Sequence, residues 1–170
     1  MLTRMEREPQ ATDPVELLDL SLAARFVADE LERRILERMR AQGFEGLRRS
    51  HGYVVQRLVD GPQPVGAIAA DLGVTSQAVS GLVRELEAAG HLERSPGGDD
   101  RRVRMVALTP RGRAAIEAAR AARAAVTAEL AAALGPERVE AARRLLVDVL
   151  AHTGALDDVA RRRVRVPPDA

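Results

Sequence analysis

Residues 65–79 of the chain are VGAIAADLGVTSQAV, and this stretch has the residues that two short crossing helices require. A helix-turn-helix needs a small residue where the helices cross, a residue that tolerates a left-handed φ in the turn, and an apolar anchor on the second helix. Ala69, Gly73 and Val79 meet these needs at the expected spacing. Because that spacing is loose, an ordinary helical hairpin explains this stretch, taken alone, almost equally well.

The second of the two helices, predicted over Thr75–Ala89, has a polar side that could read DNA bases. The apolar residues of the pair are expected to face the core: Ile68, Leu72, Val79, Leu82, Val83 and Leu86. Short polar side chains on the outside let a helix approach base edges in the major groove, and Gln and Ser can hydrogen-bond to those edges. The candidates are Ser76, Gln77 and Ser80, with Thr75 as the helix cap and Arg84 placed to meet a phosphate.

A charged β-hairpin is predicted after this helix, with strands on either side of a turn at residues 95–100. Residues 94–113 carry six arginines against two aspartates, a net charge of +4, whereas the whole chain carries +1. An aspartate can orient a neighbouring guanidinium, and an oriented arginine on a thin loop suits the narrow minor groove. A solvated turn is the alternative, but the position directly after a reading helix favours DNA. The candidate residues of the hairpin are Arg94, Asp100, Arg101 and Arg102.

Helices are also predicted on the N-terminal side of this module. Apolar residues recur at helical spacing from Pro14 to about Met39, with charged residues between them, which is typical of a long amphipathic helix. A second helix, capped by Ser50, is expected to stop at Gly61.

On the C-terminal side, Thr109 and Pro110 predict a helix start, because threonine caps a helix and proline fits its first position. This Ala-rich helix is expected to end at Leu134, before the Gly135–Pro136 pair. The last helix has one apolar stripe, formed by Val139, Ala142, Leu145, Leu146, Val149 and Leu150.

The outer helices cannot bury their apolar faces on a domain this small, so we expect them to meet the same helices of a second subunit. The predicted fold is mainly α with a small β-hairpin wing, a winged helix-turn-helix between dimerisation helices. Its parts are an N-terminal dimerisation helix at 14–48, the winged helix-turn-helix at 50–112, C-terminal dimerisation helices at 113–156 and a loose Arg- and Pro-rich tail at 157–170.

The composition supports a helical protein and excludes several kinds of site. Hydrophobic residues make up 46% of the chain and aromatic residues 2%, so alanine, leucine and valine must build the interior. The chain has no cysteine, which excludes disulfides, thiolate zinc sites and thiol redox switches. No apolar stretch is long enough to cross a bilayer, and we expect a cytoplasmic protein without membrane contact.

Three segments give the chain a resemblance to a known family. They are LEAAGHLER at 86–94, DRR at 100–102 and LTPRG at 108–112, and their order and spacing resemble the multiple-antibiotic-resistance regulator (MarR) family over about residues 50–115. The resemblance implies a homodimer held by the terminal helices. It also implies double-stranded DNA as the partner, with the polar residues of the second helix in the major groove and the hairpin in the minor groove.

The resemblance further implies a repressor that leaves DNA when a small aromatic or anionic ligand binds. Because a two-fold dimer carries one reading helix per subunit, we expect its operator to be a pseudo-palindrome. Phe26, His51 and Tyr53 lie where such a pocket is expected. The ordinary alternative places Phe26 and Tyr53 in the core and His51 at a solvated helix start.

Two other functions compete with DNA binding. An enzyme is disfavoured, because His51, His91 and His152 lack metal-ligand spacing and the chain has neither a glycine-rich phosphate loop nor a nucleophile elbow. We expect no cofactor and no metal. A winged helix that binds protein instead of DNA is the other alternative, and the arginines of the hairpin argue against it.

Overall fold

The computed structural model describes residues 17–96 and 104–160, with Pro96 described by its backbone alone. In this part the chain is mainly helical with one small sheet, which confirms the predicted fold class. The helices are α1 Leu20–Ala41, α2 Arg49–Arg57, α3 Val65–Leu72, α4 Ser76–Ala88, α5 Pro110–Leu134, α6 Pro136–His152 and α7 Leu156–Ala160; the strands are β1 Gln63–Pro64, β2 Leu92–Pro96 and β3 Arg104–Leu108.

The sheet has three antiparallel strands in the order β1-β3-β2. The predicted hairpin is formed by β2 and β3, with Leu92 opposite Leu108 and Ser95 opposite Met105. The turn was predicted to start at Ser95, which is wrong, because Ser95 and Pro96 pair with β3 as the last residues of β2. The predicted wing residues Asp100, Arg101 and Arg102 lie outside the described residues, as does most of the predicted tail.

The sequence did not predict strand β1, in which Gln63 pairs with Val106 and Pro64 with Met105. Proline has no N–H to donate to a sheet and is therefore found at sheet edges, which is the position of β1. A strand of two residues has no periodicity of its own, so its pairing with a distant strand forms it.

The winged-helix core is built around α3 and α4. Val79, Val83 and Leu86 of α4 are fully buried, as predicted, together with Ile68 and Leu72 of α3, whereas Leu82 is only half-buried. Each fully buried aliphatic side chain contributes about 1.5–3 kcal/mol, against about 1 kcal/mol for a helix cap. Burial of its apolar face therefore fixes α4 more strongly than its ends do.

The helix starts partly match the predictions. Thr75 Oγ1 accepts a hydrogen bond from Ala78 N at 3.2 Å, and Thr109 Oγ1 accepts one from Gly112 N at 3.0 Å, so both predicted threonine caps are confirmed. Gly73 has the left-handed conformation expected in the turn, with φ of 67°.

Three helix boundaries were predicted wrongly. The chain is not helical at Leu18 and Asp19, and α1 begins at Leu20 because the Asp19 carboxylate accepts a hydrogen bond from Leu22 N at 2.9 Å. Ser50 is not the cap of α2, which follows Arg48 without a side-chain cap and ends at Arg57, before Gly61.

Helix α5 connects the winged-helix core to the remaining helices. Its first half contributes Ile116 to the core around α4, and Ala115 and Ala122 pack against Met39 of α1. An ion pair between Arg38 and Glu129 joins α1 to α5 further along. Helix α6 packs on α5 but buries none of its side chains.

Candidate nucleic-acid interface

The polar side of α4 is presented to solvent while its other side is locked in the core. Ser76, Gln77 and Arg84 are exposed, and Ser80 is half-buried. Thr75 is exposed as well, but its hydroxyl is occupied by the cap. The helix therefore offers a short polar row at its N-terminal turn and one arginine two turns later, on a rigid support.

A carboxylate on α4 anchors the helix to α2. Glu85 accepts a hydrogen bond from His51 Nε2 at 2.9 Å and pairs with the Arg48 guanidinium. The hydrogen bond from His51 is the main cause that holds the pKa of Glu85 below its usual value, and the charge of Arg48 adds to it. These two contacts limit the ways in which α4 can rotate relative to α2.

A second carboxylate anchors α4 to the hairpin. Glu87 accepts a hydrogen bond from Arg94 Nε at 3.0 Å, and both side chains are about one-third exposed or less. Arg94 was predicted to contact DNA, and its guanidinium lies against this carboxylate. Its charge is thus partly neutralised, and the pair sets the angle between α4 and β2.

Three of the predicted DNA-contacting residues of the wing, Asp100, Arg101 and Arg102, lie outside the described residues. The strands on either side are described, and β2 begins four residues after the end of α4. Arg104, the first residue of β3, is exposed.

The predicted ligand residues do not share one pocket. His51 is 5% exposed and lines a cavity of about 100 Å³ between α1, α2, α4 and α5. Tyr53 is half-buried and faces other, more open hollows beside the same helix. Phe26 is 55% exposed. The ordinary alternative was therefore wrong for Phe26, which is outside the described core, and for His51, which is not solvated.

The sequence did not predict the role of His91, which is 1% exposed and lines the same cavity as His51. Its backbone N donates to Leu86 O at 2.8 Å, and its carbonyl oxygen accepts from Thr109 N at 3.1 Å. His91 thus joins the end of α4, the start of β2 and the start of α5. The signal in the sequence was its position between Gly90 and a strand.

The described residues offer little to other chemistries. Nowhere in residues 17–96 and 104–160 do three His, Asp or Glu side chains come close enough together to hold a metal ion. None of the helices in these ranges has the length and apolar character of a membrane span.

Comparisons with known proteins agree with this geometry. The family model described as "MarR family" matches residues 45–103. YusO of Bacillus subtilis is 25% identical, with 82% of this chain and 99% of YusO covered and a TM-score of 0.63. A comparison with curated protein sequences gives no match.

Two further solved structures share the fold at lower identity. MarR of E. coli is 21% identical, with 78% of this chain and 98% of MarR covered and a TM-score of 0.61. A MepR variant from S. aureus, bound to an oligodeoxyribonucleotide, is 23% identical, with 80% of this chain and 99% of MepR covered and a TM-score of 0.55. Residues 45–103, which include α2, α3, α4 and β2, are therefore similar to the MarR family.

Proposed function

We propose that the protein is a sequence-specific transcriptional regulator that reads DNA through α4. The observation that carries the proposal is the exposed polar row of Ser76, Gln77 and Ser80 on a helix whose opposite side is fully buried. A side chain reads a base reliably only when its support cannot move, and α4 is held by the core, by Glu85 and by Glu87. The MepR variant, which has the same fold, was solved with an oligodeoxyribonucleotide.

Two kinds of contact are assigned to the interface. Gln77 has the donor and acceptor pair that matches an adenine edge, and the serines can serve as either donor or acceptor. Arg84, Arg101 and Arg102 contribute charge to phosphates and to the minor groove, with Asp100 orienting the arginines of the turn. Arg94 supports the hairpin through Glu87.

The active unit is proposed to be a homodimer. Large apolar side chains are exposed on both α1 and α6, and they are Leu20, Leu22, Phe26, Val27, Leu145, Leu146 and Val149. Helix α6 buries no side chain at all in the single chain. A second copy of the chain would cover these faces through a two-fold axis, and it would place two copies of α4 on successive turns of one DNA face, about 10 base pairs apart.

The regulator is further proposed to be a repressor that a small ligand releases from a pseudo-palindromic operator. The cavity beside His51 is lined mainly by apolar side chains, and His51 bonds Glu85 on the reading helix. A dry cavity of about 150 Å³ can hold benzene, whereas this one measures about 100 Å³, so a single-ring molecule fits only by displacing part of its wall. A ligand that displaced His51 would loosen α4.

The experiment is an in vitro selection of bound duplexes from a random pool, with the wild type, Gln77→Ala and Gln42→Ala. Gln42 is an exposed glutamine in the turn after α1 and is the matched control. We expect the wild type and Gln42→Ala to enrich the same two half-sites, and Gln77→Ala to change one base preference in each. Absence of any enriched motif with the wild type would refute DNA reading. An unchanged motif with Gln77→Ala would refute the assigned face.

The rival function is that of a winged helix that binds protein. It predicts no enriched duplex and no loss of any activity with arginine substitutions in the hairpin turn, so the same selection separates the two.

A further inference from the structure

Two histidines lie buried in the joint between the winged-helix core and the long helices. His51 of α2 is 5% exposed and His91 is 1% exposed, and both line the cavity of about 100 Å³. His51 Nε2 donates to Glu85. Its Nδ1 and both ring nitrogens of His91 have no hydrogen-bond partner in normal geometry among the described residues. Buried polar atoms without a partner are rare in folded proteins and call for an explanation.

The surroundings of His91 are apolar on one side and positive on the other. The Phe44 ring lies 6.2 Å from the His91 ring, centroid to centroid, and the Arg111 guanidinium lies 5.5 Å from the same phenyl centroid. The shared cavity is also lined by Leu86 of α4 and by His51 of α2. Glu85 bonds His51, and no carboxylate among the described residues hydrogen-bonds the His91 ring.

Three further charged groups line the rest of the cavity wall. They are Glu32 of α1, Arg48 just before α2 and Arg123 of α5. Arg48 is paired with Glu85. A proton on His91 would therefore add a positive charge to a buried place that already faces Arg111, with no bonded carboxylate to balance it.

Burial is the main cause that lowers the pKa of His91 below its usual value, and the positive charge of Arg111 lowers it further. The Arg111 backbone has the opposite effect and raises the pKa in part. The ring is thus neutral in the closed joint near neutral pH. A histidine exposed by opening of the joint takes up a proton near the ordinary value of about 6.5.

Opening of this joint would affect the reading helix directly. The backbone of His91 bonds Leu86 at the end of α4 and Thr109 at the start of α5. Movement of α4 and the hairpin, which follow each other around this residue, relative to α5 would expose the ring to bulk water.

We propose that His91 is a pH sensor, whose protonation in mild acid opens the joint between the winged-helix core and α5 and thereby weakens DNA binding. This inference rests on the proposed DNA-binding function. The direction follows from linkage: the open form binds the proton more tightly, so the closed form is favoured fully above about pH 6.5 and loses stability as pH falls toward the lower pKa of the buried ring. Below that pKa the effect levels off. Each unit of difference between the two pKa values is a tenfold change in the closed-to-open ratio.

The test compares DNA affinity at pH 7.5 and pH 5.5 by fluorescence anisotropy, using the full chain and the duplex selected above. The variants are His91→Phe and the smaller His91→Leu, with His152→Phe, at an exposed histidine of α6, as the matched control. We expect the wild type and His152→Phe to lose affinity in acid by up to about tenfold, the limit reached when the open form predominates. The His91 variants should bind the duplex in acid as tightly as they bind it at neutral pH. Equal acid sensitivity in the wild type and in the folded His91 variants would overturn the proposal.

A second measurement does not depend on the variants or on DNA. Proton NMR of the wild type should give His91 a titration midpoint below the ordinary histidine value of about 6.5, with shifts of the Ala88 and Leu92 backbone amides at the same midpoint. A His91 midpoint at or above about 6.5, or titration of His91 without any change at those amides, would overturn the sensor. If the wild type binds no duplex at either pH, the proposed function fails, whereas the NMR result still decides whether the joint opens.

Discussion

Gly112 faces the carbonyl oxygen of His91 so closely that a Cβ built on the glycine would lie 2.1 Å from it. This approach brings the first turn of α5 against the segment between α4 and β2, where Thr109 N and Thr109 Oγ1 also bond the carbonyls of His91 and Gly90. The arrangement fixes the reading helix relative to the helix that leads away from the core.

Substitution of Gly112 by alanine should therefore destabilise the protein. The clash is with backbone, which cannot rotate away, and overpacking of this kind costs about 1–3 kcal/mol. For a chain of this length the melting temperature should fall by roughly 2–12 °C, which calorimetry can measure. Gly81→Ala is the matched control: Gly81 lies inside α4 with nothing within 4 Å of a built Cβ, and alanine there should raise stability by up to about 1 kcal/mol. A melting temperature for Gly112→Ala equal to that of the wild type would contradict the close approach.

Helix α6 gives a prediction about assembly. Leu146→Glu should weaken the dimer by at least about 2 kcal/mol, roughly thirtyfold in dissociation constant, because the charge would be buried in the interface. Light scattering over a concentration series measures the change. Ala151→Glu, an exposed position five residues further along the same helix, should leave the mass unchanged. A monomeric wild type at micromolar concentration, or equal effects of both substitutions, would count against this interface.

The cavity beside His51 gives a prediction about ligand control. With benzoate as the probe, the wild type should release its selected duplex as the probe concentration rises. Ala119→Leu places a larger side chain on the cavity wall and should abolish this release without loss of DNA affinity. Ala114→Leu, at an exposed position of α5, should respond like the wild type. If benzoate still released the duplex from Ala119→Leu, benzoate would act at a site other than this cavity.

The fold was predictable where short-range chemistry decides it. The caps Thr75 and Thr109 and the left-handed Gly73 are determined by neighbouring residues, so the sequence alone indicated them. Strand β1 was missed because its existence depends on Val106, more than forty residues away. The start of α1 was missed because apolar spacing continued past the Asp19 cap.

The site was predictable on α4 and not around the cavity. Once the apolar residues of α4 are assigned to the core, the polar residues on its other side form the predicted reading row. Burial of His91 depends on Phe44 and Arg111, which come from separate segments of the chain. No local sequence pattern predicts that these residues lie next to His91. The same holds for Glu85, because its partners Arg48 and His51 lie just before and within α2.

The hairpin turn gives a prediction that distinguishes charge from base reading. Arg102→Ala should weaken binding to every duplex and lower the slope of log affinity against log salt by about 1, because one phosphate contact is lost. Anisotropy titrations at several salt concentrations measure both effects. Arg120→Ala removes an exposed arginine of α5 that is paired with Glu117, and it should leave the slope unchanged. If Arg102→Ala had the same salt slope as the wild type, Arg102 would not be part of the DNA interface.

Hydroxyl-radical footprinting of the wild type on its selected duplex tests the central claim most directly. If α4 of each subunit reads DNA in a two-fold dimer, two protected patches should appear on one face of the duplex, centred about 10 base pairs apart. Gln42→Ala should leave both patches in place. No protection at concentrations that saturate the dimer, or a single patch without a symmetric mate, would contradict the assignment of α4 as the DNA-reading helix of a dimeric regulator.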